Sequence, residues 1–332
     1  MITVLDFEKP ILELEKKITE LKNLSSTGEL DLETEVKKLE TRLAHVKKET
    51  YVHLTPWQRV QIARHPKRPY ALDYIGAIFN DFVELHGDRT FADDKALIGG
   101  FAMLDGRPVL VLGHQKGRDA KENIMRNFGS AHPEGYRKAL RLMKMAEKFN
   151  TPIVVFVDTP GAYPGVGAEE RGQAYTIAVN IRDMARINVP ILVYVIGEGG
   201  SGGALGIGVG DRVGVLENAY YSVISPEGCA AILWKDRSKA PEAAAALRLT
   251  AKDLLEMKLI DEVLKEPLGG AHQNPVEMAE TLKASIKRSL KEVEAADREL
   301  LVESRYEKFR NMGVFVESLG KKLREKKIPS RQ

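Results

Sequence analysis

The sequence of 332 residues contains a single cysteine, Cys229. One thiol cannot form a disulfide within the chain or build a cysteine-rich zinc site, so a reducing compartment, the cytoplasm, is expected. No run of about 18 apolar residues occurs, and the first residues lack the apolar segment of an export signal. We therefore expect neither membrane insertion nor export.

An excess of charge of one sign is also lacking, because 50 basic and 47 acidic residues leave a formal charge of only +3. This balance gives no support for nucleic-acid binding. The phosphate-loop pattern G-x-x-x-x-G-K-[ST] is missing as well. The run that begins at Asp158 and imitates the D-x-x-G of GTPases is therefore not expected to bind a nucleotide.

The composition, 43% hydrophobic and 29% charged, suits a globular protein with a substantial core. Apolar residues at helical spacing predict an amphipathic helical hairpin and a connecting arm over residues 1–74. Short β-rich runs alternate with helical patterns over residues 75–266, which indicates an α/β core. Residues 267–332 return to a Lys/Glu-rich helical pattern. The predicted strands are 96–103, 107–114, 153–158, 191–196, 212–216 and 220–224, and the main predicted helices within the core are 133–150 and 167–187.

Two glycine-rich segments follow predicted buried strands, and we call them the first glycine turn (residues 158–167) and the second glycine turn (residues 197–206). Glycine lets main-chain N–H groups approach a ligand without a Cβ in the way. The start of a helix also favours negative charge. Such turns can therefore build an oxyanion hole from peptide groups alone.

A serine hydrolase is the main alternative, because Gly199 to Gly203 satisfies G-x-S-x-G with Ser201 as nucleophile. His272 lies downstream, and Asp211, Asp253 and Asp261 lie between them, so the order of a catalytic triad is available. This hypothesis leaves the first glycine turn unexplained. A second motif, Met143-Lys144-Met145, imitates a biotin attachment site, but it falls inside a predicted helix, where Lys144 is expected to be an ordinary surface lysine.

With both turns in view, the sequence resembles the alpha subunits of bacterial acetyl-CoA carboxylase carboxyltransferase over nearly its whole length. The stretches that carry the resemblance include 81–89, 113–117, 133–139, 158–170, 197–210, 222–230 and 266–274. The resemblance implies an α/β, crotonase-like (ClpP/crotonase) fold, a superhelix of ββα units. It further implies carboxyl transfer from carboxybiotin on a biotin carboxyl carrier protein to acetyl-CoA, giving malonyl-CoA for fatty-acid synthesis.

The resemblance also implies roles for individual residues. The peptide N–H groups of Gly202, Gly203 and Ala204 are assigned to the biotin oxygen. Gly199 and Gly200 are expected to shape that turn, and Gly161 and Ala162 to line the biotin channel. No side chain is assigned as a general base. Three basic residues are candidates either for CoA phosphates or for ordinary solvated surface charge: Lys116, Arg118 and Arg137.

The expected partners follow from the same resemblance. A homologous beta subunit with a four-cysteine zinc ribbon is expected to complete the active site in a heterotetramer of two alpha and two beta chains. No metal is expected in this chain, and ATP binding belongs to the biotin carboxylase of the complex. Two further alternatives are a non-catalytic scaffold for the beta chain and a related acyl-CoA carboxyltransferase or biotin-dependent decarboxylase subunit.

Overall fold

The computed structural model describes residues 5–26, 32–295 and 297–313. None of the helices in these ranges has both the length and the apolar character needed to span a bilayer. The middle of the predicted hairpin turn and the end of the predicted C-terminal tail lie outside the described residues. The division into segments at residues 74 and 266 stays a prediction.

The first two α-helices are α1 (Lys9–Ser26) and α2 (Glu33–Val52). Their apolar faces meet in a small cluster around Ile18, Val36 and Leu39. Next come α3 (Pro56–Ala63) and α4 (Ala71–Ile78). Thr55 starts α3 through a capping box with Gln58, since its hydroxyl accepts from the Gln58 N–H at 3.2 Å. The segment expected to be a connecting arm is thus partly helical.

The described residues contain eight strands joined in one sheet. In chain order they are β1 (Asn80–Glu84), β2 (Leu97–Leu104), β3 (Arg107–His114), β4 (Ile153–Thr159), β5 (Ile191–Gly200), β6 (Arg212–Leu216), β7 (Tyr220–Ser222) and β8 (Glu262–Leu264). The path β1-β2-β3 is antiparallel, and β3-β4-β5-β6-β8 is parallel. The carboxyl ends of the parallel strands therefore share one edge, where the glycine turns lie.

Besides β4, strand β5 pairs with two further strands at different points along its length. Its first half pairs with β6, and its last residues, Glu198 to Gly200, pair with β7. Every residue of β4 and of β5 is buried, as expected for parallel strands covered on both faces. The run Ile153–Val157, rich in β-branched residues, suits such a strand.

The remaining helices are α5 (Ala120–Met125), α6 (Pro133–Lys148), α7 (Val166–Glu170), α8 (Gln173–Met184), α9 (Ser201–Leu205), α10 (Pro226–Leu233), α11 (Ala240–Leu247), α12 (Ala251–Glu256), α13 (Pro275–Ala295) and α14 (Leu301–Arg310). Of these, α10 and α11 bury apolar residues in smaller clusters, and α6, α8, α9, α12 and α13 bury theirs in one large core cluster. On α13, the predicted stripe of Met278, Leu282, Ile286 and Leu290 is buried in that cluster.

Most predicted elements are confirmed, and two predictions were wrong in detail. The helix predicted over residues 167–187 is two helices, α7 and α8, because Gly172 adopts a left-handed backbone with φ +81°. The strand predicted to end at residue 196 continues to Gly200, so the first half of the second glycine turn is extended strand. The short strands β1 and β8 were missed.

A buried arginine fastens α14 to the start of β5. The Arg305 guanidinium donates to both carboxylate oxygens of Asp211 at 2.8 Å. It also donates to three main-chain carbonyls between residues 184 and 189, at 2.7 to 3.0 Å. Asp211 in turn accepts from the Ile191 N–H at 2.7 Å. The side chain of Arg305 is thus fully paired although it is buried.

We predict that Arg305→Met lowers the free energy of unfolding by about 3–5 kcal/mol, because it leaves the buried Asp211 carboxylate without its charge partner. Urea denaturation followed by circular dichroism measures the change. Arg310→Met is the matched control: Arg310 is exposed on the same helix, so the change there stays within about 0.5 kcal/mol. Equal effects of the two substitutions would contradict the role given to Arg305.

Candidate active site at the carboxyl ends of the parallel strands

The first glycine turn leaves β4 at Thr159 and folds back at once. The Thr159 hydroxyl accepts from the Gly161 N–H at 3.1 Å and donates to the Gly161 carbonyl at 2.8 Å. Gly161 has φ +151°, a backbone conformation that side chains rarely adopt. The turn is therefore closed by its own residues, and Gly161 and Ala162 remain partly exposed.

The second glycine turn passes directly from β5 into the short helix α9. Gly200 is the residue before the helix, and Ser201, Gly202 and Gly203 occupy its first three positions. The N–H groups at the first helical positions have no carbonyl partner within the helix. Ala204 is the fourth residue and is buried, and Ser201 at the first position has a left-handed backbone with φ +48°.

The two glycine turns touch each other through their main chains. A Cβ on Gly200 would lie 2.2 Å from the Pro160 carbonyl oxygen, and a Cβ on Gly203 would lie 2.5 Å from the Ala162 nitrogen. Real Cβ atoms do not approach backbone so closely, so glycine is required at both positions. Gly202 differs, because its nearest neighbour would be Ile177 Cδ1 at 3.6 Å. Gly202 therefore has room for a Cβ in ordinary van der Waals contact, whereas Gly200 and Gly203 form the contact between the turns.

The interior side of α9 is held by two side chains. The Tyr136 hydroxyl donates to the Gly203 carbonyl at 3.3 Å. The fully buried His114 ring lies beside the same carbonyl, where burial and, next, the Lys116 charge lower the pKa of His114 to about 3. His114 is therefore neutral near neutral pH. Of the two side chains, only Tyr136 makes a hydrogen bond here, and it fixes the Gly203 carbonyl at the inner face of the helix.

A buried network of charges lies beneath both turns. The Lys116 ammonium, in the loop after β3, donates to Asp158 at 2.6 Å and to Glu198 at 2.8 Å. Arg64 and the Tyr220 hydroxyl each donate to the other Glu198 oxygen at 2.7 Å. Burial alone would raise the pKa of Glu198, but Lys116 and Arg64 outweigh burial and lower that pKa to about 2. Glu198 is therefore ionised at all ordinary pH values.

An apolar groove of about 270 Å³ opens beside Ser201 and the exposed Leu205. It is lined mainly by β7, α12 and the end of α14, with Tyr221, Val223, Leu254, Leu259, Phe309 and Met312 among its residues. Burial raises the pKa of Tyr221 to about 12, so its hydroxyl stays protonated. An open, apolar surface therefore adjoins the second glycine turn.

The basic residues considered for CoA phosphates or for solvated surface charge also make contacts within the fold, and both interpretations stay predictions. Lys116 is bound to two carboxylates, as described. Arg118 donates to the carbonyls of Pro66 and Arg68 at 3.0 and 2.9 Å and lies 4.0 Å from the Tyr70 ring centroid. Arg137 donates to Asp88 at 2.7 Å. All three position protein segments.

The groups of a serine hydrolase are not brought together. His272 stacks on His65, with ring centroids 3.9 Å apart. Among the described residues, Ser201 makes no hydrogen bond with a histidine. Lys144 lies on α6 and pairs with Asp183 at 2.8 Å, so it is a helix-surface lysine as predicted. The same described ranges contain no group of three or more His, Cys, Asp or Glu placed to hold a metal ion.

Sequence reasoning missed the charged network under the turns. A signal for it was present, because Asp158 and Glu198 are charged residues at the ends of two otherwise apolar strands, and Lys116 follows a third. Charged groups at such positions are buried when the strands are, and buried charges require partners. Arg64 carried no signal, since its contact with Glu198 spans 134 positions of the chain.

Solved structures similar to this chain define its fold. A transcarboxylase 12S structure aligns with a TM-score of 0.57 and 20% identity, covering 72% of this chain and 45% of that one. The beta subunit of geranyl-CoA carboxylase from P. aeruginosa aligns with a TM-score of 0.54 and 17% identity, covering 74% and 46%. A Pseudomonas malonate decarboxylase hetero-tetramer bound to coenzyme A gives 0.56 and 16%, covering 71% and 91%. The predicted crotonase-like fold is confirmed.

The family follows from closer relatives. The family model for acetyl co-enzyme A carboxylase carboxyltransferase-like proteins matches residues 4–313. Proteins named acetyl-coenzyme A carboxylase carboxyl transferase subunit alpha are 60% identical in Geobacter metallireducens, 58% in Thermus thermophilus and 56% in Vibrio campbellii. Each alignment covers 94% of this chain and 98–99% of the relative. The chain belongs to the acetyl-CoA carboxylase carboxyltransferase alpha-subunit family, and the serine hydrolase alternative is not favoured.

The contact between the turns gives a test that uses neighbouring glycines. Gly203→Ala is predicted to lower the free energy of unfolding by about 1–3 kcal/mol, because the new methyl group meets backbone that cannot move aside. At Gly202 a new methyl group meets only Ile177 Cδ1, at an ordinary contact distance of 3.6 Å, so Gly202→Ala changes the unfolding free energy by less than about 1 kcal/mol. Chemical denaturation of both variants checks the difference. Similar stabilities for the two would show that the turns do not touch at Gly203.

Proposed function

We propose that this chain forms the biotin-binding half of a two-chain carboxyltransferase active site. The reaction is transfer of the carboxyl group from carboxybiotin, carried on a separate carrier protein, to acetyl-CoA, which gives malonyl-CoA. The relatives' shared name supports this substrate assignment. The observation that carries the proposal is the close contact of the two glycine turns at the start of α9, beside an open apolar groove.

Carboxyl loss leaves negative charge on the ureido oxygen of biotin, a group that N–H donors stabilise well. Gly202 and Gly203 supply such donors from the first turn of α9. Ala204 completes the assigned set and, like Gly203, is buried. Loss of one such donor typically costs about 2.7–4 kcal/mol of transition-state stabilisation.

The rigid surroundings support the same assignment. Gly199 and Gly200 are buried at the end of β5, where they set the direction in which α9 leaves the strand. Gly161 and Ala162 pack directly against Gly203 and stay partly exposed, so they line the approach to the N–H groups. Donors that are held before the reaction need no reorganisation during it, which is the source of their effect.

No side chain of the described network is proposed as a general base. Glu198 is too weak a base for this role, because its pKa is lowered to about 2. His114 has a pKa of about 3 and is enclosed. The chain therefore contributes peptide groups and shape. Removal of the methyl proton of acetyl-CoA is assigned to the biotin substrate or to the partner chain.

A partner chain is proposed to cover the site. Large apolar side chains are exposed beside both turns: Val166 is 75% exposed, Tyr175 74% and Val223 76%. Apolar surface of this kind next to a functional groove is typical of a protein interface. The partner is a beta subunit with a zinc ribbon, in a heterotetramer of two chains each. The complex, with ATP-dependent biotin carboxylase, acts in fatty-acid synthesis in the cytoplasm.

The assay that tests this function is decarboxylation of malonyl-CoA in the presence of biotin, the reverse transfer. We expect activity when the chain is mixed with a zinc-ribbon beta subunit and none from either chain alone, because the site is divided between them. Turnover by the isolated chain would contradict a divided site. Propionyl-CoA and methylmalonyl-CoA, assayed alongside, determine the acyl selectivity.

Two substitutions separate the rival mechanisms in that mixture. Ser201→Ala should leave most of the activity, since the peptide N–H remains, whereas a serine nucleophile would make the loss essentially complete. Gly203→Val should abolish transfer while the chain still binds its partner. A scaffold without catalytic groups would instead support transfer in both variants.

A further inference from the structure

The carboxyl ends of three adjacent strands carry charged residues that meet at one point. Lys116 follows β3, Asp158 lies in β4 and Glu198 lies in β5. The side chains are nearly sequestered, with exposed fractions of 11% for Lys116, 2% for Asp158 and 8% for Glu198. Asp158 is the first residue of the first glycine turn, and Glu198 is the second residue of the second glycine turn. A single ammonium group thus joins the bases of both turns.

The surrounding backbone is shaped to admit these contacts. A Cβ on Gly197 would lie 2.5 Å from the Asp158 carboxylate, and a Cβ on Gly129 would lie 2.9 Å from Cγ of Lys116. The Asp158 carboxylate also accepts the Glu198 N–H at 2.9 Å, so it binds the main chain of the neighbouring strand as well as the lysine. Glycines at these positions make room for the bridge.

We propose that Lys116 is a positioning residue for the carboxyltransferase reaction: by bridging Asp158 and Glu198 it holds the two glycine turns in the contact that aims the N–H groups of α9. This inference rests on the proposed function. Lys116 does not touch a substrate, because it is enclosed and two of its three N–H donors are bound to carboxylates.

The charges around Lys116 argue against a role as a direct anion stabiliser. Two carboxylates face the ammonium group, so the local charge is not positive even before a substrate arrives. Burial alone would lower the pKa of Lys116, yet Asp158 and Glu198 raise it, so the ammonium form persists. Other titratable groups, on the elements packed around this network, also interact with it. They are Arg64, Arg68, Tyr70, Tyr74, His114, Tyr220 and Glu227.

Removal of the ammonium group would leave two carboxylates facing each other in a buried space. Like charges in one site raise the pKa of one partner strongly, so one carboxylate takes up a proton as the pH falls. A protonated carboxyl can donate to its neighbour and so rebuild the bridge. The defect of a Lys116 variant is therefore expected to diminish at lower pH. A role confined to global stability would instead lower the melting temperature and leave kcat of the folded complex unchanged.

The experiment compares complexes of the chain with its beta subunit by malonyl-CoA decarboxylation with free biotin, from pH 6 to pH 8.5. We expect Lys116→Met to lower kcat on the order of 100-fold at pH 8, with KM for malonyl-CoA little changed, because misplaced donors act on the transition state. The kcat of Lys116→Met divided by the kcat of wild type should rise as the pH falls, by up to about tenfold per pH unit.

A charge-balanced variant and a surface control complete the design. Lys116→Met with Glu198→Gln removes one charge of each sign, and we expect it to regain about tenfold in kcat at pH 8 and to lose the pH-dependent recovery. The double variant decides the question if the single variant does not assemble. Lys144→Met, in the exposed pair with Asp183, should match wild type throughout.

A pH-independent defect in Lys116→Met, or no recovery of kcat in the double variant, would overturn the positioning role. Wild-type kcat in Lys116→Met would do so as well. Failure of the proposed function is distinguishable, because in that case the wild-type complex itself does not decarboxylate malonyl-CoA. Thermal melting of each complex over the same pH range shows the restored bridge independently of turnover, as a melting temperature that approaches wild type at low pH.

Discussion

The close contact between two main-chain segments at the carboxyl ends of β4 and β5 is the constraint on which the site depends. Gly200 lies against Pro160, and Gly203 lies against the Gly161–Ala162 peptide, at separations that exclude any Cβ. The contact forces α9 to leave β5 in one direction. The main chain at the start of α9 is thereby held at a fixed place relative to the first glycine turn.

The layers beneath this contact serve to hold it. The buried strands β4 and β5 give the turns a rigid base, and the network of Lys116, Asp158 and Glu198 joins their ends. On the other side of α9, the Tyr136 hydroxyl fixes the Gly203 carbonyl. Charged side chains here connect segments of the chain that are distant in sequence.

Much of the fold could be predicted because it rests on local patterns. The bounds of β3 and β6 agree with the sequence prediction, since both are apolar runs with sharp polar ends. The glycine turns were found for the same reason, and the resemblance assigned their residues. The contact between the turns, the position of Ala204 as fourth in α9 and the pairing of Lys116 depend on tertiary packing. Local sequence patterns do not specify contacts between residues that are distant in the chain, so these features could be found only in the structure.

The most direct measurement is a crystal structure of the alpha–beta complex with biotin bound. The account predicts the ureido oxygen about 2.7–3.1 Å from the amide nitrogens at Gly202 and Gly203, with Gly161 and Ala162 beside the ring. A ureido oxygen bound instead by side chains or by the beta subunit alone, with the N–H groups of α9 turned to other protein atoms, would contradict it.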